Sequence, residues 1–416
     1  MLSLSRKNTA ESLIVSGNTE WTRPENRAFY PALDGVRALA FLMVFGEHYL
    51  GIPWGWAGVD VFFVLSGFLI TGILFDTRND THRVRNFYVR RTLRIFPLYY
   101  GTLLVILLLK PFVHWQINWH WLVWPAYLGN FARFIQPYSL YDPIQMLADF
   151  QPTGLVGPHT VKLYLGHFWS LCVEEQFYLF WPWIVFWLRD RKQLLRLCIA
   201  MFPLCLGLRL LGEHVFPDWM LNNEILYRLT PFRLDALLLG GFFALVIRGQ
   251  EKEQCLRLVR KLFPVAVAIV ALWMIFRPHV HIWQRPYVYP DWKFTWGLSA
   301  IDLLSAMLIL MTLQPGNFLY RLFNLRPLRW MGRISYGAYV LHDIPHLLYF
   351  SFSNKVAHYV YAGSRLSDHA IVQRAEALTA VIALGGTLFL AWLSFRWFES
   401  PFLNLKERWA SRVAVE

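Results

Sequence analysis

Apolar stretches of about membrane-spanning length recur along this chain from residue 32 to residue 395, with no long polar domain between them. Of its 416 residues, 56% are hydrophobic and only 16% are charged, whereas soluble domains have roughly 25% charged residues. A helix of about 20 apolar residues crosses a bilayer. The pattern predicts an all-α polytopic membrane protein, folded as one bundle of about ten transmembrane helices.

Ten transmembrane helices fit the apolar stretches. They are placed at 32–50, 58–77, 95–114, 167–188, 194–213, 234–248, 262–276, 297–314, 334–352 and 373–395. The Trp-rich stretch 115–133 is short, and we predict that it lies in the membrane interface or re-enters the membrane from outside. If 115–133 does span the membrane, the helix count becomes eleven.

The net charge of +13 is concentrated in the segments between apolar stretches. With ten helices, 27 of the 40 Lys and Arg residues lie on the N-terminal side and 12 on the other, with Arg37 inside the first span. By the positive-inside rule this predicts a multi-pass protein of the cytoplasmic (inner) membrane. Both tails, 1–29 and 410–416, are expected in the cytoplasm, flanking a membrane domain at 30–409. The basic charge therefore reflects topology and does not indicate nucleic-acid binding.

The first span, YPALDGVRALAFLMVFGEHYL, carries ionisable groups within an apolar helix. Arg37 and His48 are eleven residues apart, which is three helical turns, so both lie on one face. Asp34 lies at the mouth of the same face. An ionisable group inside a bilayer costs on the order of 3 kcal/mol, so such groups normally face a bundle interior or a wet cavity. We predict that this helix lines an active site.

Arginines are dense in the segment 78–94, which contains six of them. Arg90, Arg91 and Arg94 would share a helix end, and guanidinium groups bind phosphates through paired hydrogen bonds. The alternative is that they set topology and contact anionic lipid headgroups.

Acidic groups stand at the outer ends of two spans. Asp60 begins the second span, whose small pair Ser66-Gly67 is expected to let a neighbouring helix approach closely. Glu174 and Glu175 lie in GHFWSLCVEEQFY near the start of the fourth span. They are candidates for a functional site, and the alternative is compensation of the helix dipole.

Two further pairs of ionisable residues lie in or beside predicted spans, and the cysteines and remaining histidines bear on metal binding. Arg233 and Asp235, in TPFRLDALLLGG, are further candidates, and the alternative prediction is that they simply pair with each other. His342 and Asp343 lie inside a span and need partners. The four cysteines lack CxxC spacing, and the histidines of PHVHIW lack further ligands nearby. The sequence therefore predicts no metal site.

Seven stretches, in order, resemble the acyltransferase 3 family of integral membrane O-acyltransferases. They are LDGVRALA with His48 eleven residues after Arg37, GVDVFFVLSGFLIT, FYVRRTLRIFPLYY, FWSLCVEEQFYLFWP, RLDALLLG, RISYGAYVLH and WFESPF. The resemblance covers about residues 29 to 409.

The resemblance implies transfer of an acyl group, most commonly acetyl, from acetyl-CoA or another acyl-CoA. The acceptor would be a hydroxyl of a carbohydrate, a lipid-linked sugar or another cell-surface molecule, and membrane lipids would surround the enzyme. The family's functional positions fall on seven residues of this chain: Arg37, His48, Arg90, Arg91, Arg94, Glu174 and Glu175. Some relatives carry an added C-terminal extracytoplasmic hydrolase-like domain, and an enzyme without that domain is expected here.

The chemistry of the transfer assigns a role to each group. Histidine titrates near neutral pH, so His48 is the candidate general base for the acceptor hydroxyl. By analogy with catalytic triads, a carboxylate should orient the His48 imidazole. Glu175 or Glu174 is the first choice for this carboxylate, and Asp60 is the second. Arg37, about 16 Å from His48 along the helix, would meet the donor on the cytoplasmic side. The arginines at 90, 91 and 94 would hold its nucleotide phosphates.

Two other functions are compatible with the same residues. Arg37 and His48 would serve as a proton relay in a transporter or flippase of glycolipid precursors, or the chain would be a non-catalytic relative that senses cell-wall precursors. Within the enzyme hypothesis, direct transfer in a ternary complex is favoured over a covalent intermediate, for instance an acyl group on Ser66.

Overall fold

The computed structural model describes most of the chain between residues 30 and 409, and residues 31–416 form one compact unit. The described residues are 30–113, 119–135, 153–156, 159–162, 165–217, 220, 224–276, 293–345, 352, 355, 359 and 368–409. The two predicted tails and the PHVHIW histidines lie outside these residues.

Helices dominate the first half of the chain. They are α1 (Ala32–Leu50), α2 (Ala57–Asp76), α3 (Arg83–Val113), α4 (Ala132–Ile135), α5 (Phe168–Leu188) and α6 (Arg191–Val215), with 3-10 turns at Trp119–Val123 and Gly129–Phe131. Two short antiparallel strands, β1 (Thr153–Val156) and β2 (His159–Lys162), pair with Thr153 opposite Lys162.

Helices also make up the described second half. They are α7 (Ile225–Arg228), α8 (Leu234–Val246), α9 (Lys252–Phe276), α10 (Leu298–Thr312), α11 (Phe318–Phe323), α12 (Arg326–Arg333), α13 (Ser335–His342), α14 (Asp368–Leu393) and α15 (Ser400–Trp409). A 3-10 turn lies at Thr230–Phe232, and π-helical stretches lie at Lys293–Gly297 and Ser394–Glu399.

Each of the ten predicted spans falls on a helix, which confirms the predicted fold class. Among the described residues, five helical stretches are long and apolar enough to cross a membrane. They are Ala57–Asp76, Arg83–Pro111, Arg191–Val215, Lys293–Thr312 and Arg374–Leu405. Helices α1 and α5 have 19 and 21 residues and carry the ionisable groups noted in the sequence. Residues 119–131 contain two 3-10 turns and no transmembrane helix, in line with the prediction for 115–133.

One predicted span is shorter than expected. The stretch 334–352 was assigned as a continuous helix, but α13 ends at His342 and residues 343–345 form a turn. Pro345 explains this end, because a proline disfavours helical backbone at the residue before it, here Ile344. The break places Asp343 directly after the last residue of α13, so the helical repeat does not set the direction of its side chain.

Helices α2 and α8 pack backbone to backbone through glycines. A methyl group at Gly67 of α2 would overlap the carbonyl group of Leu237, and one at Gly240 of α8 would overlap the carbonyl oxygen of Val64. Small residues allow such close approach between membrane helices. The packing role predicted for Ser66-Gly67 is therefore confirmed at Gly67.

Helix α1 lies inside the bundle. Its residues Phe41, Phe45 and Tyr49 are buried against α13 and α14. On the outside, large side chains such as Trp187 of α5, which is 81% exposed, face the surroundings, as expected for a surface in contact with hydrocarbon. Helix α1, which carries Arg37 and His48, is thus shielded from lipid by its neighbours.

We expect Gly67→Ala to destabilise the protein, because overpacking at a tight contact costs about 1–3 kcal/mol. Gly207→Ala is the matched control, since nothing lies within 4 Å of the added methyl group on α6 and both changes raise helix propensity equally. Thermal stability in detergent, followed by size-exclusion chromatography, measures the difference. Equal stability of the two variants would contradict the close α2–α8 contact.

Candidate active site

His48, near the C-terminal end of α1, lines a cavity of about 520 Å³. The cavity combines aromatic walls with charged groups and histidines. Its lining includes Glu47, Trp56, His167, Trp169, Glu224, Tyr227, Arg228, Lys293, Tyr339 and Asp343. A cleft of this size, with a few convergent polar groups, is the usual form of a small-molecule site.

The hydrogen bonds of His342 fix the proton on His48. His342 Nδ1 lies 2.7 Å from the carbonyl oxygen of Tyr339, and because a carbonyl only accepts, Nδ1 carries the hydrogen. In the neutral His342 ring, Nε2 is then an acceptor. It lies 3.0 Å from His48 Nδ1, which must donate to it. The neutral His48 ring therefore has its hydrogen on Nδ1 and its lone pair on Nε2.

Asp343 lies between two imidazoles. Its Oδ1 is 3.4 Å from His48 Nδ1, and its Oδ2 is 3.3 Å from His167 Nδ1. The other nitrogen of His167, Nε2, donates to the carbonyl oxygen of Val340 at 3.1 Å. The Asp343 side chain is only 1% exposed, so its negative charge acts on the two rings with little screening by water.

The ends of three helices bring these groups together. His48 lies in the last turn of α1, Asp343 directly follows α13, and His167 directly precedes α5. Tyr49 connects α1 to α13, because its hydroxyl donates to the carbonyl oxygen of His342 at 2.6 Å. Tyr339 ties α13 to α5 through a 2.5 Å hydrogen bond with Ser170.

One nitrogen or oxygen atom from each of His48, His342 and Asp343 lies within 4.8 Å of the others, a spacing that a metal ion could use. The hydrogen bond from His48 to His342 accounts for the short separation of these two nitrogens without a metal. We therefore interpret the cluster as a hydrogen-bonded histidine site, and the absence of a metal remains a prediction.

Away from the histidines, the cavity wall is aromatic and charged. The rings of Trp169 and Tyr227 lie 4.7 Å apart, and Lys293 Nζ lies 4.9 Å from the Trp56 ring. Glu224 has a left-handed backbone with φ of 54°. It is held there by Arg228 at 2.7 Å and by Arg133 at 2.8 Å. The wall thus offers flat apolar faces beside fixed hydrogen-bonding groups.

The structure places the carboxylates predicted to orient His48 against other partners, and the carboxylate it places beside His48 is Asp343, at 3.4 Å. Glu174 lies within hydrogen-bonding reach of Ser66 and Tyr178, and Glu175 is an electrostatic neighbour of Arg91. Asp60 accepts a 2.5 Å hydrogen bond from Arg233. Each of these carboxylates stands beside an arginine or hydroxyl from another part of the chain, away from His48.

The predicted arginines gather toward the other end of α1. The Arg91 guanidinium lies 3.8 Å from the centre of the Tyr178 ring, and Arg94 is an electrostatic neighbour of Arg37, Arg91 and Asp34. Arg37 donates to Asp34 at 2.9 Å. The structure therefore brings together Arg37, Arg91 and Arg94. Arg90 lies on the same helix, α3, and has partners of its own.

A second buried charge cluster lies behind the cavity. Arg233 pairs with Asp60 at 2.5 Å, and Arg209 of α6 pairs with Asp235 at 2.6 Å. The predicted pairing of Arg233 with Asp235 is therefore wrong. Residues two apart on a helix point to opposite sides, so each finds its partner on a different helix. Asp302 of α10 is an electrostatic neighbour of Asp60 and Arg233.

Sequence reasoning missed His167 and gave no role to His342 or Asp343. The signal for the latter two was present, because ionisable residues inside an apolar span need a functional or structural reason. His167 lies within the stretch GHFWSLCVEEQFY, in which only the two glutamates were considered as candidate functional residues. No sequence spacing relates residues 48, 167 and 342, since they meet only through helix packing.

Comparisons with known proteins give a family match and named relatives. A family model described as an acyltransferase domain matches residues 30–396. The peptidoglycan O-acetyltransferase OatA of Listeria monocytogenes is 29% identical over 90% of this chain and 56% of its own length. The putative peptidoglycan O-acetyltransferase YrhL of Bacillus subtilis is 30% identical over 77% of this chain and 49% of its own. This chain thus spans about half the length of these relatives. No solved structure matches it.

We expect Arg209→Met to destabilise the protein by about 3–5 kcal/mol, because it leaves Asp235 buried and unpaired. Arg209 also donates to Ser299 and to the Phe232 carbonyl oxygen, and these bonds are lost as well. Thermal unfolding in detergent measures the loss. The additional change Asp235→Leu should recover part of the stability. Arg191→Ala, which breaks an exposed pair with Glu251, should have a much smaller effect. Similar losses for the two arginines would contradict the buried-pair interpretation.

Proposed function

This chain belongs to the acyltransferase 3 family, and we propose that it transfers an acetyl group from cytoplasmic acetyl-CoA to a hydroxyl group of a carbohydrate. Its relatives are named peptidoglycan O-acetyltransferases, which supports a carbohydrate acceptor. The matched region, residues 30–396, contains helices α1 to α14 and the cavity. We place the enzyme in the cytoplasmic membrane with both termini in the cytoplasm, on the basis of its charge distribution.

The observation that carries the proposal is the proton arrangement at His48. With its hydrogen held on Nδ1 by His342, the ring keeps its lone pair on Nε2, in a residue that lines the cavity. A general base needs this arrangement, because its basic nitrogen must reach the proton of the acceptor. Asp343 then plays the part of the orienting carboxylate in a catalytic triad.

The reaction follows from these positions. His48 Nε2 removes the proton of the acceptor hydroxyl as its oxygen attacks the thioester carbonyl carbon. Asp343 stabilises the positive charge that His48 gains in this step. The tetrahedral intermediate then expels the thiolate of coenzyme A, which takes the proton from His48. The products are the ester and free coenzyme A, and His48 returns to its starting state without a covalent acyl-enzyme.

The acceptor is proposed to occupy the aromatic part of the cavity. Trp56, Trp169 and Tyr227 present flat apolar faces, and sugar rings stack on such faces through their C–H groups. Glu224 and Arg228 stand beside them with fixed polar atoms. Hydrogen bonds to sugar hydroxyls from such groups give selectivity, because the wrong hydroxyl pattern leaves buried polar atoms unpaired.

The donor is proposed to enter from the cytoplasmic side, where Arg37, Arg91 and Arg94 gather and where Arg90 is expected to contribute. Guanidinium groups suit the phosphates of coenzyme A. Arg37 and His48 are separated by about 16 Å along α1, a span that an extended pantetheine arm can bridge. Between them, Tyr339 lies near both Glu174 and Asp343, so polar groups continue from the arginines to the cavity.

We expect His48→Ala to lower coenzyme A release by roughly 10²–10⁴-fold, the usual contribution of a general base. The assay uses purified full-length protein in nanodiscs with acetyl-CoA and a lipid-extract acceptor pool, and free thiol is measured against ester formed. His82→Ala is the matched control, because His82 is exposed in a turn between α2 and α3. Full turnover by His48→Ala would refute the base assignment. Substrate flux without acetyl-CoA consumption would favour a transporter instead.

We expect Asp343→Asn to lower kcat by about 10²-fold or more while the KM for acetyl-CoA stays near the wild-type value, because the amide no longer stabilises charged His48. Steady-state kinetics with varied acetyl-CoA separates the two constants. Asp76→Asn, which alters an exposed pair with Arg248, provides the control. A changed KM with an unchanged kcat would place Asp343 in donor binding and overturn its orienting role.

A further inference from the structure

Arg333, the last residue of α12, lies beside the arginines assigned to the donor. We propose that Arg333 is a further member of this site and that it binds a phosphate group of the acyl donor. The inference rests on the proposed function, because it extends the donor site described above. The sequence analysis assigned no role to this residue, although it opens the stretch RISYGAYVLH.

Asp34 joins two arginines through its two carboxylate oxygens. Oδ1 accepts a hydrogen bond from Arg37 at 2.9 Å, and Oδ2 lies 3.9 Å from Arg333 Nε. The two arginines come from α1 and α12, which are far apart in the sequence. A shared carboxylate of this kind holds guanidinium groups near each other despite their mutual repulsion.

The backbone packing fixes Arg333 in this position. A methyl group at Gly332 would overlap the backbone carbonyl of Asp34, so the end of α12 touches the start of α1 directly. On its other side, the Tyr336 hydroxyl donates to the carbonyl oxygen of Ile95 at 2.7 Å. Ile95 follows Arg94, so the junction of α12 and α13 lies against α3 at the donor arginines.

Arginines and carboxylates lie close together at this junction. Arg94 has Arg37, Asp34 and Glu399 as electrostatic neighbours, Arg37 is also a neighbour of Glu174, and Arg333 lies beside Asp34. The side chain of Arg333 is 55% exposed, whereas that of Arg37 is 26% exposed. Arg333 is thus the more accessible of the two arginines at the mouth of the cluster, where an incoming anion arrives first.

The ion pair with Asp34 does not by itself explain Arg333. At 3.9 Å and with half of the arginine exposed, such a pair contributes little to stability. A planar guanidinium that stands on a packed backbone and is only weakly paired is well suited to bidentate binding of a phosphate. The phosphate has two conceivable sources, the nucleotide part of the donor or an anionic lipid headgroup. The link to Arg37, on the helix that carries His48, favours the donor.

The test compares two thioesters. Acetyl-CoA carries the nucleotide phosphates, and S-acetyl-N-acetylcysteamine lacks them. We expect Arg333→Gln to raise the KM for acetyl-CoA roughly tenfold, the effect of losing one charge-assisted hydrogen bond. Its kcat, and both constants for the truncated thioester, should remain unchanged. Arg326 is an exposed arginine at the start of the same helix, and Arg326→Gln should leave KM and kcat unchanged for both thioesters.

Three results would overturn the inference. They are an unchanged KM for acetyl-CoA, an equal rise of KM for both thioesters, and a rise seen only in nanodiscs that contain phosphatidylglycerol. The last result would assign Arg333 to a lipid headgroup. Phosphatidylcholine nanodiscs therefore serve as the reference in each assay.

A binding measurement separates this inference from the proposed function. If the wild-type protein turns over neither thioester, the proposed function fails. Equilibrium binding of coenzyme A and of pantetheine then tests whether Arg333 binds a phosphate group. Tighter binding of coenzyme A than of pantetheine by the wild type, reduced roughly tenfold by Arg333→Gln, supports the phosphate site. Equal binding of the two compounds by the wild type overturns it.

Discussion

Ionisable side chains inside an apolar bundle need partners, and this requirement governs how the helices of this protein meet. Taking a charge out of water costs several kcal/mol unless another group compensates it. In this chain the partner comes from a different helix in nearly every case described. Arg233 pairs with Asp60 across α8 and α2, and Arg209 pairs with Asp235 across α6 and α8. These contacts specify which helices lie side by side. Apolar packing alone is less selective among neighbouring helices.

The same constraint produces the proposed catalytic site. Helix α1 places His48 within the bundle, and the surroundings supply two imidazoles and one carboxylate from the ends of α5 and α13. Because the acceptor nitrogen of His342 dictates the proton position, the reactive nitrogen of His48 is set by structure before any substrate binds. A base that is preorganised in this way spends little free energy on reorientation during the reaction.

Charge is distributed unevenly along α1, and this gives the helix two chemically different ends. At one end, Arg37 and Asp34 meet the arginines of α3 and α12. At the other end, His48 meets Asp343 beside aromatic walls. One end suits a phosphorylated donor and the other a neutral sugar. A single helix therefore carries both proposed recognition sites, about 16 Å apart.

The sequence by itself determined the helical membrane fold, the positions of the helices and the placement of Arg37 and His48 on one face of α1. These features depend on local hydrophobicity and on the helical repeat, both of which are written in neighbouring residues. Helix α13 is a partial exception, since Pro345 was visible in the sequence but its effect on 334–352 was not anticipated. Only the tertiary structure decided that Asp343, rather than Glu174, Glu175 or Asp60, contacts His48, and that His167 joins them. Several carboxylates satisfied the same chemical requirement, and the choice among them depends on how helices distant in sequence pack together.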